Sequence, residues 1–291
     1  MWVVTVREAL RSRVAFYLAV GRDAVVATYR HDCTTAAPAM AFDFIFAVFP
    51  GILVLTALLG FLGISSEDFI TVLEILGIVI PIPLLEAVED NISFLSSQSL
   101  FVIGFLGVIW PASASMSTTM MALNRAYGVQ EHRSFYKRRI LSLALIVVLG
   151  ISFVFFLNLI IFGEHVESWL RGYWASSHFS PLVALLRRAV VVIGMVATAA
   201  CIYYIMPAVR LRWWDVLPGS MMFSGLAGVI AIALDYIERF SYYNIIYGVL
   251  GTAIILLLSA YLLAFSLLLG GELNAVLYRC RHPFDAYSTD Y

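Results

Sequence analysis

The stretch Tyr247-Gly-Val-Leu-Gly-Thr-Ala-Ile-Ile-Leu-Leu-Leu-Ser-Ala-Tyr-Leu-Leu-Ala-Phe-Ser-Leu-Leu-Leu269-Gly-Gly-Glu272 decides the fold class. No charged residue interrupts it before Glu272. A helix needs about 20 mostly apolar residues to cross the hydrocarbon core of a bilayer, and this run exceeds that. Five further segments qualify, at about Ala36–Leu62, Ser99–Leu123, Ile140–Phe162, Leu182–Met206 and Val216–Tyr236, with Tyr247–Leu273 as the sixth. The whole chain agrees with them: 62% of its 291 residues are hydrophobic, 13% are charged, and the mean hydropathy is +0.92. A soluble domain is about half apolar and about a quarter charged. The excess here needs lipid as its solvent.

The expected fold is therefore all-α, a polytopic bundle of about six transmembrane helices. Residues 1–35 form an arm. Arg7, Arg11 and Arg13 precede a short apolar run at Val14–Val20, with no small-residue cleavage site and with Arg22 and Asp23 after it. It reads as an amphipathic surface helix and not as a signal peptide. Residues 36–278 form the membrane domain, and 279–291 a tail. Within the domain, Phe69–Ile80 is apolar but reaches only ~18 Å as a helix, against a core of about 30 Å. It ends at Pro81-Ile82-Pro83, and Leu84–Leu95 then places its apolar residues on one helical face. The spacing predicts an external helical hairpin over 66–97.

Orientation follows from the basic residues. Fourteen of the 18 fall in the N-terminal arm, the Arg125–Arg139 loop, the Arg210/Arg212 loop and the Arg279/Arg281 tail. The positive-inside rule assigns these to the cytoplasm, which puts both termini there and requires an even number of spans. The loop from Gly63 to Gln98 carries six acids and no basic residue. It is expected outside.

Several chemistries find no support. Cys33, Cys201 and Cys280 are odd in number and far apart, so neither a disulfide framework nor a zinc site is indicated. The net charge of −1 offers no basic face for nucleic acid. No phosphate loop or dinucleotide fingerprint occurs, and no cofactor or metal is expected. Trp2, Trp169, Trp174, Trp213 and Trp214 sit near helix ends as interfacial anchors.

Polar residues inside apolar helices carry the functional information. Asp43 lies about two turns inside the first span, where a carboxylate costs a few kcal/mol and marks a pathway, a relay or an ion pair. Glu272 and Asn274 lie near the basic end of the last span, close in depth to Asn124 and Arg125. With Asp43 they read as a polar site opening to the cytoplasm, or else as a structural salt-bridge and helix-capping network at the interface in which Glu272 pairs with Arg279 or Arg281. Pro50 and Pro111 predict broken helices, and Ser113, Ser115, Ser117, Thr118 and Thr119 follow Pro111. Those hydroxyls line a polar path, or they let helices approach closely, as Ser220, Ser224 and Gly228 do at i, i+4 and i+8.

Several of these residues resemble the YihY/BrkB family of bacterial membrane proteins. They are Met40-Ala-Phe-Asp-Phe-Ile-Phe-Ala-Val-Phe-Pro50, Trp110-Pro-Ala-Ser-Ala-Ser115, Leu123-Asn124-Arg125-Ala126-Tyr127-Gly128-Val129, Met206-Pro207 with Trp213, Asp215-Val-Leu-Pro-Gly219, Tyr247-Gly248 and Leu269-Gly-Gly-Glu272-Leu-Asn274. Ala47 stands where many members have Ser, and Asp43 where an aromatic or an amide is expected. The resemblance implies a multi-pass protein of the bacterial inner membrane. Members have been called ribonucleases, virulence factors and candidate transporters, with no agreed catalytic residues to carry over. The five histidines here are scattered singly, which speaks against a nuclease.

The sequence points to a transporter or an exporter of a lipid or small anionic solute. Its partners are membrane lipids and an anionic or lipid substrate, not nucleic acid. Asp43, Pro50, Pro111, Ser113, Ser117, Asn124, Arg125, Glu272 and Asn274 are the pathway candidates, and Asp43 is expected to share a cavity with Glu272 or Asn274. The competing class is a non-transporting scaffold or assembly factor; an enzyme comes third. The oligomeric state is left open. The orientation is testable: a cysteine placed at Gln98 should label from outside intact cells and one at Gln130 should not. The opposite pattern would invert the topology.

Overall fold

The computed structural model describes residues 2–61, 98–134, 136–149, 152, 179–240 and 249–282. Helices account for nearly all of them, and no strand occurs among the described residues. In chain order the helices are α1 (Trp2–Arg30), α2 (Cys33–Phe61), α3 (Gln98–Tyr127), α4 (136–149), α5 (Phe179–Ile205), α6 (Trp213–Phe240) and α7 (Val249–Arg281). The predicted hairpin at 66–97 and most of the third predicted span lie outside the described residues. Among the described residues three stretches are long and apolar enough to cross a membrane: Val102–Tyr127, Trp213–Leu234 and Ala253–Arg281. Shorter apolar helical stretches occur at Cys33–Ala47 and Ala189–Ile205. Ile103, Leu106, Val229, Ile232 and Ile254 are exposed along these helices. Such an apolar exterior is what lipid solvates.

The central element is α7, which packs on α1, α2, α3 and α6. From α1, Val20, Ala24, Ala27 and Thr28 recur at helical spacing and are buried, and Val20 and Ala24 cluster with Val276 of α7. Against α2 and α3 the contact is made by Cys33, Ala37, Met40, Ala122, Ala264 and Leu268. Small residues dominate it because lipid tails solvate leucine as well as a neighbouring helix does. Close backbone approach then provides the packing energy.

Each helix end at the α1–α2 corner side has a definable stop. Between α1 and α2, Asp32 takes φ 56°, a left-handed conformation that aspartate tolerates better than most residues. Its carbonyl then accepts from the amides of Thr35 and Ala36 and starts α2. After Tyr127, Gly128 at φ 71° ends α3. Its amide reaches Arg125 O at 3.1 Å while Val129 N reaches Asn124 O at 2.9 Å, the paired bonds of a Schellman motif. At the start of α6 the Asp215 carboxylate accepts the Arg212 amide at 3.2 Å, and the Asp215 amide donates to Arg212 O at 2.9 Å. This reciprocal cap places the helix start at Trp213, most of a turn earlier than the apolar pattern indicates.

Two expectations need correction here. Helices α2 and α3 are not broken at Pro50 and Pro111 but run through both as continuous helices. A proline removes one backbone bond, and the long segments on either side keep the remaining ladder. The second concerns Gly228, where an added Cβ would meet nothing within 4 Å among the described residues. Ser220 and Ser224 are buried, but among the described residues the packing surface does not extend to Gly228.

The tight contact is instead at Gly219 of α6 and Gly270 of α7. A Cβ on Gly219 would collide with the Gly270 carbonyl oxygen, and one on Gly270 with the Tyr203 hydroxyl of α5. Overpacking of this kind costs typically 1–3 kcal/mol. Gly219→Ala should therefore lower the unfolding temperature in detergent. Gly225→Ala on the same helix meets nothing within 4 Å and should leave it unchanged or raise it.

Candidate functional site

At one end of the bundle meet the α1–α2 corner, the end of α3, the 128–134 loop, the end of α5, the start of α6 and the end of α7. This basic end holds Arg30, Arg125, Arg133, Arg212, Arg279 and Arg281. Two fully buried polar side chains of α7, Glu272 and Asn274, organise it.

Asn274 serves the backbone of α6. Its side-chain oxygen accepts from Gly219 N at 2.7 Å, and its amide nitrogen donates to Val216 O at 3.0 Å. The absence of a side chain on Gly219 is what lets the amide come this near. Asn124 does a similar task between loops, accepting from Ala208 N at 2.7 Å and donating to Glu131 Oε2 at 2.7 Å. Arg133 then seals the end of α5: its guanidinium donates to Met206 O at 2.9 Å, Pro207 O at 3.2 Å and Ile205 O at 3.5 Å. A cation there also complements the negative end of the helix dipole.

Glu272 is different. Its Oε1 lies 2.7 Å from His31 Nδ1, and the Cys33 thiol donates to the same oxygen at 3.6 Å. Its Oε2 is buried with no partner. The expected pairing with Arg279 or Arg281 is not what forms. Arg281 donates to Asp215 Oδ1 at 2.9 Å, and Arg279 Nε to Ala275 O at 3.3 Å. The reason is geometric, since Arg279 follows Glu272 by seven residues, ~10.5 Å along the helix axis. The α1–α2 corner fills the space beside Glu272 instead. Arg125 holds that corner, donating to His31 O at 2.9 Å and standing 3.6 Å from Asp32 Oδ2.

A polar pocket of ≈ 460 Å³ opens between α1 and the end of α7. It is lined by Asp23, Arg30, His31, Arg279 and Cys280, with Val26, Ala27 and Val276. Asp23 pairs with Arg22 at 3.1 Å. Among the described residues neither Arg30 nor Arg279 has a carboxylate partner. The pocket thus presents two guanidinium groups from different helices, with His31 between it and Glu272.

Asp43 is elsewhere. It lines a groove of ≈ 630 Å³ between α2 and α3, with Phe42, Phe46, Pro50, Gly107, Trp110, Pro111 and Ala114. The groove brings Asp43, Pro50 and Pro111 together, and shares no lining residue with the pocket at the basic end. The expectation of a cavity common to Asp43 and Glu272 is corrected by this. Helix α2 meets Glu272 at Cys33, and the ten residues from there to Asp43 rise ~15 Å. Of the hydroxyls, Ser113 is buried and donates to Trp110 O at 3.0 Å. Ser115 and Thr119 face Met40 of α2, donating to its carbonyl and its sulfur, each at 3.5 Å. Ser117 is half-buried on α3.

So the structure gathers Asn124, Arg125, Glu272 and Asn274 at the basic end and separates them from Asp43, Pro50 and Pro111. Sequence reasoning missed His31, Cys33 and Glu131 as their partners. His31 and Glu272 are 241 positions apart, and no spacing signal joins them. Asp215 and Gly219 stood within a quoted motif, without a role.

Residues 24–288 match the family described as Virulence factor BrkB. The putative ribonuclease-like protein YfkH of Bacillus subtilis (strain 168) is 27% identical over 252 residues, covering 86% of this chain and 91% of that protein. No solved structure matches. The matched range takes in every helix described here except the first part of α1, and the chain belongs to the BrkB virulence-factor family.

Proposed function

We propose that this protein is a transporter or exporter of an anionic lipid or small anionic solute, with the pocket between α1 and α7 as its binding site. The observation that carries this is the pair of guanidinium groups, Arg30 and Arg279, set in one polar pocket without carboxylate partners among the described residues. Guanidinium groups are weakly hydrated and shaped for bidentate contact with phosphate or carboxylate. The same basic end, by the positive-inside rule, faces the cytoplasm of the bacterial inner membrane, with six spans and both termini inside. Anionic head groups of the cytoplasmic leaflet would meet it there. The reading involves no catalytic step.

The competing reading, a scaffold or assembly factor, draws on Asn274, Asn124 and Arg133, whose bonds all go to backbone or to neighbouring loops. The two diverge in a vesicle experiment. Purified protein in phosphatidylglycerol–phosphatidylcholine vesicles should speed the transfer of labelled phosphatidylglycerol between leaflets, or the release of an entrapped organic phosphate. The first result identifies a lipid cargo, the second a solute. Arg30→Ala with Arg279→Ala should slow either by about tenfold, the effect of losing ~1.4 kcal/mol of charge-assisted contact. Folded protein that moves neither would favour the scaffold. Cleavage of labelled RNA by the same preparation would favour the activity that the Bacillus relative's name suggests.

A further inference from the structure

Five carboxylates stand at the basic end, and their partners differ in kind. Asp215 is held by Arg281, Asp32 by Arg125 and Asp23 by Arg22. Glu131 accepts from the Asn124 amide and the Arg133 backbone N–H. An arginine keeps its charge at any physiological pH, and an amide has none to lose. Glu272 instead faces an imidazole, whose two ring nitrogens can donate or accept a proton. It is also the most enclosed of the five, with no exposed side-chain surface and, among the described residues, with Oε2 unpartnered.

We propose that His31 and Glu272 form a proton-binding site, loaded from the pocket between α1 and α7. The His31 side chain is 17% exposed and lines that pocket, while Nδ1 touches Glu272. The step balances with one proton. A proton from pocket solvent adds to His31 Nε2 while the Nδ1 proton passes to Glu272 Oε1. The products are a neutral imidazole protonated at Nε2 and a neutral carboxylic acid. The acid's O–H then donates back to Nδ1. Loading removes a charge from a carboxylate whose Oε2 has neither solvent nor a donor, the situation in which an ionised group is most costly. Unloading is the reverse.

In the pocket itself His31 faces Asp23, held by Arg22, and Arg30 on α1, with Arg279 and the Cys280 thiol on α7. The corner supplies Asp32, held by Arg125, and the Cys33 thiol, which donates to Oε1. On α3, Arg125 and the Tyr127 phenol are near; on α6, Asp215 is held by Arg281; on α7, Arg279 and Tyr278 follow. Because His31 and Cys33 flank the turn between α1 and α2, proton occupancy acts on the junction of three helices. The proposal rests on the transport reading in naming H⁺ as the coupling ion. Its test reads protons and not cargo, so either can fail alone.

The test is pH-difference infrared spectroscopy on the full chain in lipid nanodiscs. A protonated-carboxyl C=O band should appear as the pH is lowered, vanish in Glu272→Gln and persist in Asp43→Asn. His31→Gln should move its midpoint by about one pH unit, a tenfold change in proton affinity. A purely structural hydrogen bond would give no such band. Its absence in the wild-type protein, its survival in Glu272→Gln, or a midpoint indifferent to His31→Gln would each overturn the proposal. Should Glu272→Gln not fold, the wild-type titration and the His31→Gln midpoint decide the matter by themselves.

Discussion

Burying Glu272 and Asn274 on α7 is the constraint to which the basic end of the bundle is fitted. Leaving a buried polar group unpaired costs about 1–3 kcal/mol, more when it is charged. Two such groups within one turn of an apolar helix therefore dictate what may surround them. Asn274 requires a backbone with a donor and an acceptor to offer, and the first turns of α6 provide them at Gly219 and Val216. Glu272 requires a donor from outside its own helix, and the corner between α1 and α2 is pinned in place by Arg125 to provide it. Because α7 also touches α3, the same short segment fixes the relative position of α1, α2, α3 and α6.

Glycine makes this possible for a steric reason and not a conformational one. At Gly219 and Gly270 the α6 and α7 backbones approach until a methyl group on either would collide. Gly271 gives the same closeness toward α3, where a Cβ would run into Leu123. The Tyr203 hydroxyl of α5 donates to Leu267 O at 2.6 Å across the same junction. Without a hydrophobic force between helices in lipid, close approach and these bonds are what remain to hold them. The polar residues and the glycines are parts of one arrangement. The glycines bring the backbones near enough for a short side chain such as asparagine to bridge them.

Much of this fold was legible in the sequence, because long apolar runs and arginine-rich breaks are strong signals. The apolar runs for α3, α5 and α6 match the helices to within four residues, whereas α7 runs eight residues past the predicted end at Leu273, and Gly128 marks the end of α3. The start of α6 was set late, since Asp215 and Trp213 interrupt the apolar pattern while forming the cap. The candidate site was half legible. Polar residues in apolar helices identified Glu272, Asn274 and Asn124, but pairing is a tertiary property. Assigning Glu272 to Arg279 relied on nearness in sequence, where seven residues of helix already exceed the length of an ion pair. Asp43 was grouped with Glu272 for want of a register between α2 and α7. That register is set by Cys33, Ala37 and Met40 meeting Leu268 and Ala264.

The separation of Asp43 from the basic end also bears on what each site can hold. The α2–α3 groove is mostly apolar: its polar side chains are Asp43 and Trp110, with the Arg139 guanidinium 4.8 Å over the Trp110 ring, while Phe46 and Gly107 lose the usual helical donors to their carbonyls at Pro50 and Pro111. Pro50 packs directly against Gly107, so the two interrupted ladders meet at one level. The pocket between α1 and α7 has the opposite character, with Arg30 and Arg279 as donors and its carboxylate, Asp23, already engaged by Arg22. The pocket and the groove thus differ in kind, and the ~15 Å of α2 between Cys33 and Asp43 keeps them apart.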